Sequence, residues 1–308
     1  MNEATQVHSL GDAQIGPRKG YTRLSPIYLL VAPAVLLLLT FLLVPTAAVL
    51  VLSVSDYRLG IDDWSFVGFE NYVAMARDPL FWTSLRNTWT YVIVVVPLSV
   101  GLGLGVALLI ESRTYLKRFY RVAYFLPVTA TLVAMATVWE FIFHPNIGLA
   151  NAVLGSFGVA PIRFLGSPDN ALFSLCAIGV WELVGFNMVL FLAGLSGIPR
   201  ELNEAASIDG ADGSIDRFLT VTWPMLGPTT LFVVIITAVR AFRVFETVAV
   251  LTQGGPDKAT EVLLYTMYLE GFQYFRIGYA SALTVVFLSF TVILILAQVR
   301  VAERRIHY

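Results

Sequence analysis

Charged side chains are scarce in this sequence. Only 13% of its 308 residues are Asp, Glu, Lys or Arg, about half of the share that is typical of globular domains. Apolar residues make up 57% of the chain. One folded core cannot hide that much apolar surface from water, so a soluble protein is excluded and lipid must solvate the chain. The net charge of −1 offers no basic face, which excludes nucleic acid as a partner.

Cysteine, histidine and the common catalytic motifs are also rare. Cys176 is the one cysteine, which excludes an internal disulfide and a cysteine-based metal cluster. The three histidines, His8, His144 and His307, are too scattered for a zinc site. No segment fits GxxxxGK[ST], HExxH or GxSxG. We therefore expect no catalytic residue, metal or cofactor in this chain, and an intramembrane enzyme is disfavoured.

Long apolar stretches dominate what is present. Six of them reach the length of about 20 residues that a membrane-spanning helix needs, at 27–55, 84–110, 121–143, 171–196, 225–250 and 280–300. They predict an all-α membrane protein with a spanning domain over 27–300 and short tails at 1–26 and 301–308. In the second stretch, the small residues Gly101 and Gly105 predict close helix packing.

The distribution of positive charge predicts the orientation. Of the 20 Lys and Arg residues, twelve fall in the N-terminal tail and the segments on its side of the membrane, six fall in the opposite segments, and Arg240 and Arg243 lie within the fifth stretch. Positive residues accumulate on the cytoplasmic side. We therefore expect both termini in the cytoplasm of a bacterial cell, with the chain in its inner membrane.

Segment 197–224, between the fourth and fifth stretches, is the most informative part of the sequence. Pro199 is expected to begin a short helix, and Gly210 to end it, because glycine adopts positive φ without steric cost. A second short helix is expected to reach Phe218, and Pro224 to break the chain into the fifth stretch. By itself, this pattern also fits an ordinary amphipathic loop.

The residues of this segment carry a resemblance to a known family. The string EAA-x-x-DGA comprises Glu204, Ala205, Ala206, Asp209, Gly210 and Ala211, and is followed by Phe218, Pro224 and Pro228. It resembles the EAA loop of binding-protein-dependent ABC importer permeases. The segments FHPNIGLAN (143–151), LTQGGPDKAT (251–260) and GYASAL (278–283) are similar to the carbohydrate class of these permeases, which includes maltose and glycerol-phosphate importers. The nearest resemblance within that class is to trehalose importer permeases of actinobacteria.

The resemblance implies a role for the segment and a set of partners. The segment would form the coupling helix that docks into a groove of the ATPase subunit. The residues that carry this role would be Glu204, Ala205, Ala206, Asp209, Gly210, Ala211, Phe218 and Pro224. Two copies of that ATPase would hold ATP and Mg²⁺. A second homologous permease and an extracytoplasmic substrate-binding protein, of the lipoprotein type, would complete the importer. The chain itself would be a non-catalytic pore subunit that carries a sugar by alternating access.

Charged and polar residues within the spans are candidates for the sugar pathway, because they are costly in lipid. They are Glu182 and Asn187 in the fourth stretch, with Trp181 and Phe186 beside them, and Arg240, Arg243 and Glu246 on one predicted stripe of the fifth. Carboxylate, amide and guanidinium groups can bind sugar hydroxyls, and aromatic faces can cover the apolar sides of sugar rings. Alternatively, Arg243 and Glu246 form a structural pair or extend towards the membrane surface.

The sequence leaves two alternative functions open. An importer permease for another solute, glycerol phosphate or an oligosaccharide, has the same features, although a phosphorylated substrate would favour more cations than Arg240 and Arg243. A secondary carrier driven by an ion gradient would have inverted repeats and broken helices at matched positions. The sequence shows neither feature.

Overall fold

The part of the protein that the structure describes is built from helices and the loops between them. A computed structural model describes residues 26–112, 115–211 and 213–305. Outside its helices, these ranges contain one isolated antiparallel bridge, between Ser55 and Phe66. The predicted all-α fold is therefore confirmed. Of the predicted N-terminal tail only Pro26 lies within the described residues, and it begins the first helix.

The helices follow one another in this order. Helices α1 (Pro26–Leu38) and α2 (Val44–Leu52) are joined by a π-helical turn, Leu39–Leu43. They are followed by α3 (Glu70–Arg77), α4 (Pro79–Glu111), α5 (Lys117–Thr129), α6 (Leu132–Ile142) and α7 (Leu149–Ser156). The remaining helices are α8 (Pro168–Ser196), α9 (Arg200–Ile208), α10 (Ser214–Arg217), α11 (Trp223–Met225), α12 (Gly227–Phe242), α13 (Leu263–Tyr268) and α14 (Ile277–Arg305). The described residues divide after Ala48 into a first compact unit and a second that begins at Val49.

Six spans can be assigned to these helices, as the sequence predicts. Four are unbroken and apolar over Leu30–Leu52, Pro79–Glu111, Pro168–Ser196 and Ile277–Arg300. The other two are bent helix pairs: α5 with α6, and the segment Ser214–Met225 with α12. The last helix continues to Arg305, so the predicted tail that begins at 301 is helical for its first five residues, and 306–308 lie outside the described residues.

The third and fifth spans are bent, which the lengths of the apolar stretches did not predict. The third span bends by 100° because Ala130 and Thr131 have extended backbone, with ψ of 145° and 134°, which interrupts the helical hydrogen bonds. The fifth span bends by 67° at Leu226, after Pro224 rather than at it. It also ends at Phe242 and not at 250, because Arg243 turns the chain out of the helix.

The core of the second unit forms where α4, α8 and α12 pack together. An added Cβ at Gly103 of α4 would lie 2.7 Å from the Asn187 Cβ and 3.2 Å from the Met188 backbone nitrogen of α8. Only glycine therefore allows the two helix backbones to come this close. Gly101 and Gly105, the predicted packing pair, have no heavy atom within 4 Å of such a Cβ. The close helix packing that was predicted for α4 therefore occurs at Gly103, which lies between the two predicted residues, Gly101 and Gly105.

Polar side chains fix the segments 53–78 and 251–276, which lie at the same end of the spans because consecutive spans cross in alternate directions. Asn87 Nδ2 of α4 donates to the Glu261 carbonyl at 2.9 Å, and Asn71 Nδ2 donates to the Ser55 carbonyl at 2.7 Å. The Asp56 carboxylate accepts from the Ser65 N–H and hydroxyl, which lowers the pKa of Asp56 below its usual value. Side-chain hydrogen bonds therefore attach the second segment to α4 and hold the first segment together internally.

Candidate functional site

The segment between the fourth and fifth spans contains two short helices joined by a tight turn. Helix α9 begins immediately after Pro199, as predicted, and Glu201 lies in its first turn, where the helix dipole favours an acidic group. It ends at Ile208, two residues before Gly210, whose φ of +92° confirms the predicted positive value. The predicted second helix is irregular, since α10 covers four residues and a π-helical turn at Phe218–Thr222 joins it to α11.

The turn at Gly210 is a Schellman motif. The Ala211 N–H donates to the Ala206 carbonyl at 2.9 Å, and the Gly210 N–H donates to the Ser207 carbonyl at 3.3 Å, which is the bonding pattern that ends a helix at a left-handed residue. The Arg217 Nε donates to the Ala211 carbonyl at 3.1 Å. These bonds hold α10 in place against the end of α9, so the direction of α9 depends on the left-handed conformation of Gly210.

The surface of this segment is open. Glu204, Ala205 and Asp209 are exposed, and Ala206 and Ala211 are half-buried. Phe218 is half-buried against the Trp223 ring, with centroids 6.0 Å apart. Ile208 and Ile215, which were not predicted as site residues, are 87% and 73% exposed. Apolar side chains this exposed on a polar segment are typical of a surface that a protein partner covers.

A polar cavity lies between α4, α6, α8 and the chain that follows α12. It has a volume of about 200 Å³, and its lining includes the four charged residues that the sequence predicts within the spans: Glu182, Arg240, Arg243 and Glu246. Tyr91 and Phe245 also line it. Because the helix ends at Phe242, Arg243 and Glu246 reach this cavity through the turn of the chain rather than along one helix stripe.

Within the described residues, the charged groups of this cavity form no ion pairs. Among the described residues, the ion pairs join Glu111 to Lys117 and Arg121, Glu261 to Lys258, and Glu270 to Arg276. The Arg240 guanidinium instead lies 4.1 Å from the centre of the Phe186 ring, a cation–π contact. Arg240, Arg243 and Glu246 are exposed and Glu182 is half-buried, so two guanidinium and two carboxylate groups are available to a bound solute.

Asn187, a predicted pathway residue, has another position. Its side chain is fully buried and links three helices: its Oδ1 accepts from Thr237 Oγ1 of α12 at 2.7 Å, and its Nδ2 donates to Ser99 Oγ of α4 at 3.3 Å. Five residues of helix separate Asn187 from Glu182, which rotates the two side chains by about 140° from one another. Asn187 therefore faces the neighbouring helices and not the polar cavity.

This position leads to a different expectation for Asn187→Ala. The change leaves the buried Thr237 and Ser99 hydroxyls without their partner, which costs about 1–3 kcal/mol. We expect the thermal midpoint of the purified protein to fall, while uptake per folded molecule stays normal. Thr237→Val removes the same hydrogen bond from the other side, so the double variant is expected to be little worse than either single one. A normal midpoint with reduced uptake would instead indicate contact with the solute.

Trp181 lies outside the polar cavity as well. It lines a second, apolar cavity of about 650 Å³ between α4, α5 and α8, together with Leu98, Tyr124 and Cys176. Its ring also packs edge-on against Trp139, with centroids 5.3 Å apart. Of the predicted aromatic residues, Phe186 is the one that contacts a charged group of the polar cavity. Tyr91 and Phe245 were not predicted, although Phe245 stands next to Glu246 in the sequence.

Comparison with known proteins identifies the family. Residues 99–307 match the family model described as binding-protein-dependent transport system inner membrane component. The probable ABC transporter permease YurN of Bacillus subtilis is 34% identical over 89% of this chain and 94% of its own length. The sn-glycerol-3-phosphate permease UgpA of Agrobacterium fabrum is 34% identical over 91% of this chain and 96% of its own.

A solved structure has the same fold. It is a bacterial alginate ABC transporter in complex with an alginate-pentasaccharide-bound periplasmic protein, and one of its chains matches with a TM-score of 0.80 and 21% identity over 91% of this chain and 94% of its own. The bent spans are thus part of a fold that this transporter shares. Together, the apolar spans, the turn at Gly210 and the family match lead to one conclusion: this chain is a multi-pass permease subunit of the family of inner-membrane components of binding-protein-dependent transport systems.

Proposed function

We propose that this chain forms half of the membrane pathway of an ATP-driven importer and carries a neutral carbohydrate, a disaccharide such as trehalose, by alternating access. The observation that carries the proposal is the gathering of Glu182, Arg240, Arg243 and Glu246 around one cavity. Two acids and two guanidinium groups sum to no net charge, which suits a polyol that both donates and accepts hydrogen bonds. At about 200 Å³, the cavity suits a shared site completed by a second permease.

The surface between α9 and α10 supports the proposed ATPase partner, and the family match supports the other proposed partners. The exposed Glu204, Ala205, Ile208 and Ile215 would dock on an ATPase, of which two copies would bind ATP and Mg²⁺. A second homologous permease would complete the pathway, and an extracytoplasmic binding protein would deliver the sugar. No cofactor is assigned to this chain.

Alanine at Glu182 tests the pathway. Removing a carboxylate that binds sugar hydroxyls weakens the contact by about 1–3 kcal/mol, or roughly tenfold in affinity. We expect Glu182→Ala to lower uptake of the sugar by about that factor while the complex assembles normally. Glu140→Ala is the matched control, because Glu140 is an exposed acid of α6 that does not line the cavity. Equal uptake in the two variants would remove Glu182 from the pathway.

A phosphorylated substrate is the second candidate, and one relative supports it. UgpA carries the name of a glycerol-phosphate permease, and the two arginines of the cavity could bind a phosphate. Thermal-shift measurements on the purified importer against trehalose, other disaccharides and glycerol 3-phosphate decide between the two. We expect a shift with a disaccharide and none with glycerol 3-phosphate; the reverse result would replace the carbohydrate by the phosphate ester.

The proposed orientation places both termini and the α9–α10 segment in the cytoplasm. Ser214 and Asp62 are exposed. The native Cys176 is buried, so we expect it to contribute little to the labelling of an introduced cysteine. We expect Asp62→Cys to react with an impermeant thiol reagent in intact cells, and Ser214→Cys to react only after the membrane is permeabilised. Labelling of Ser214→Cys in intact cells would reverse the orientation.

A further inference from the structure

An aromatic surface extends from the polar cavity along α13. Residues Tyr265, Tyr268 and Phe272 recur at spacings of three and four along α13 and the π-helical turn Leu269–Gln273, which places their rings on one helical face. With Phe245 of the cavity lining, they form a row that we name the aromatic track. The opposite face of α13 is buried, and the Leu263 N–H donates to Thr88 of α4 at 2.9 Å.

The rings of the track are in contact with one another. The Phe245 and Tyr268 centroids are 5.3 Å apart in an edge-to-face arrangement. Tyr268 stacks on Phe272 at 5.7 Å and on Tyr265 at 6.2 Å. These separations lie within the range of favourable aromatic pairs. The track is therefore continuous from the cavity outwards, and Tyr265 supports Tyr268 from behind.

Exposure rises along the track. Tyr265 is 6% exposed, Tyr268 36% and Phe272 72%. The core does not require the last two rings, since the buried contacts of α13 and its turn are made by other residues, such as Thr266 and Glu270. Adjacent rings that become more open with distance from a polar cavity provide flat apolar faces, and the apolar side of a pyranose ring can lie against such a face.

We propose that Phe245, Tyr268 and Phe272 stack on the pyranose rings of the sugar as it passes from the extracytoplasmic surface into the polar cavity. The inference rests on the proposed function, because it takes a sugar as the solute and 251–276 as an extracytoplasmic segment. Tyr265 is a positioning residue that holds the Tyr268 ring. Polar groups in the cavity would then bind the hydroxyls, while the track binds the ring faces.

Leucine substitutions separate stacking from simple apolar packing. Tyr268→Leu and Phe272→Leu keep an apolar side chain but remove the ring, whereas Tyr268→Phe keeps the ring and removes the hydroxyl. Phe157→Leu is the control for an exposed aromatic residue, because Phe157 is 80% exposed after α7 and is not part of the track. The complete importer with its binding protein is reconstituted in proteoliposomes, and uptake of labelled trehalose and ATP hydrolysis are measured together.

We expect Tyr268→Leu and Phe272→Leu to lower the number of sugar molecules taken up per ATP hydrolysed by about three- to tenfold, the loss that follows from one aromatic contact. Stimulation of ATP hydrolysis by the binding protein should stay normal, and Tyr268→Phe and Phe157→Leu should match the wild type. If both leucine variants take up the normal number of sugar molecules per ATP hydrolysed, the proposal that the aromatic track binds the sugar is wrong. Loss of ATPase stimulation in them would overturn it as well, and would assign these rings to docking of the binding protein.

The wild type itself tests the premise. If it takes up a disaccharide, the leucine variants test only whether the aromatic track binds the sugar. If it takes up glycerol 3-phosphate and no sugar, the proposed carbohydrate function fails, and the track loses its pyranose ligand before any variant is compared.

Discussion

Gly210→Val is expected to insert into the membrane normally and to lose both substrate-stimulated ATP hydrolysis and uptake. Gly210 has a φ of +92°, a region that a β-branched residue enters only at a cost of about 1–3 kcal/mol. No heavy atom lies within 4 Å of an added Cβ, so the strain comes from the backbone and not from a clash. Relief of that strain would break the Ala211–Ala206 hydrogen bond and turn α9 away from the ATPase groove.

Two variants serve as controls for this prediction. Gly210→Asn should stay active, because asparagine tolerates the left-handed region. Gly60→Val introduces the same type of strain elsewhere, since Gly60 has a φ of +87° and also has open space around it, but it lies in the loop before α3. Uptake, ATP hydrolysis and co-purification with the ATPase are measured for each. A Gly210→Val importer that couples at the normal rate would contradict a coupling role for α9.

Local chemistry explains why this segment could be predicted from the sequence. A proline before a helix and a glycine after it act through φ alone, and a distant residue does not alter that preference. Hence α9 begins after Pro199 and ends just before Gly210, which has the expected positive φ. The exposed Ile208 and Ile215 could not be predicted in the same way, because isolated apolar residues in a short helix pattern are equally compatible with burial.

The sequence contains no comparable local signal for the bends in the third and fifth spans. Hydropathy remains high across Ala130 and Thr131, and a window of apolar residues looks the same whether the helix is straight or bent. Pro127 lies within α5 and does not mark the bend, which follows three residues later. Next to the bend, α5 packs closely against α8 at Gly185, and the periodicity of either helix does not contain a tertiary contact of this kind.

Helix geometry separates the pathway residues that meet from those that do not. Phe186 is four residues from Glu182, about 40° around the helix, and lies beside Arg240. Asn187 and Trp181 are rotated by about 140° and 100° from Glu182, so they face other helices. Glu182, Arg240, Arg243 and Glu246, which were singled out for their charge, line one cavity. The sequence does not show that the chain turns at Arg243, which brings Arg243 and Glu246 to that cavity.

Gly185→Ala is expected to lower the amount of folded protein in the membrane sharply, although it adds a single methyl group. An added Cβ at Gly185 of α8 would overlap the Tyr124 carbonyl oxygen of α5, and would lie 3.0 Å from the Tyr124 carbonyl carbon and 3.3 Å from the Val128 side chain. The obstructing oxygen belongs to a helix backbone, so it cannot move aside as a side chain can. Overpacking of this kind costs about 1–3 kcal/mol or more.

Two variants of α4 serve as matched controls, and neither should lower the stability of the protein. Gly101→Ala and Gly105→Ala add the same methyl group to the interior of α4, where no heavy atom lies within 4 Å. Because alanine favours a helix over glycine by about 0.5–1 kcal/mol, these variants should be at least as stable as the wild type. Membrane abundance and thermal midpoints of all three importers are compared. If Gly185→Ala were as stable as Gly105→Ala, the close approach of α8 to α5 would not support the bend of the third span.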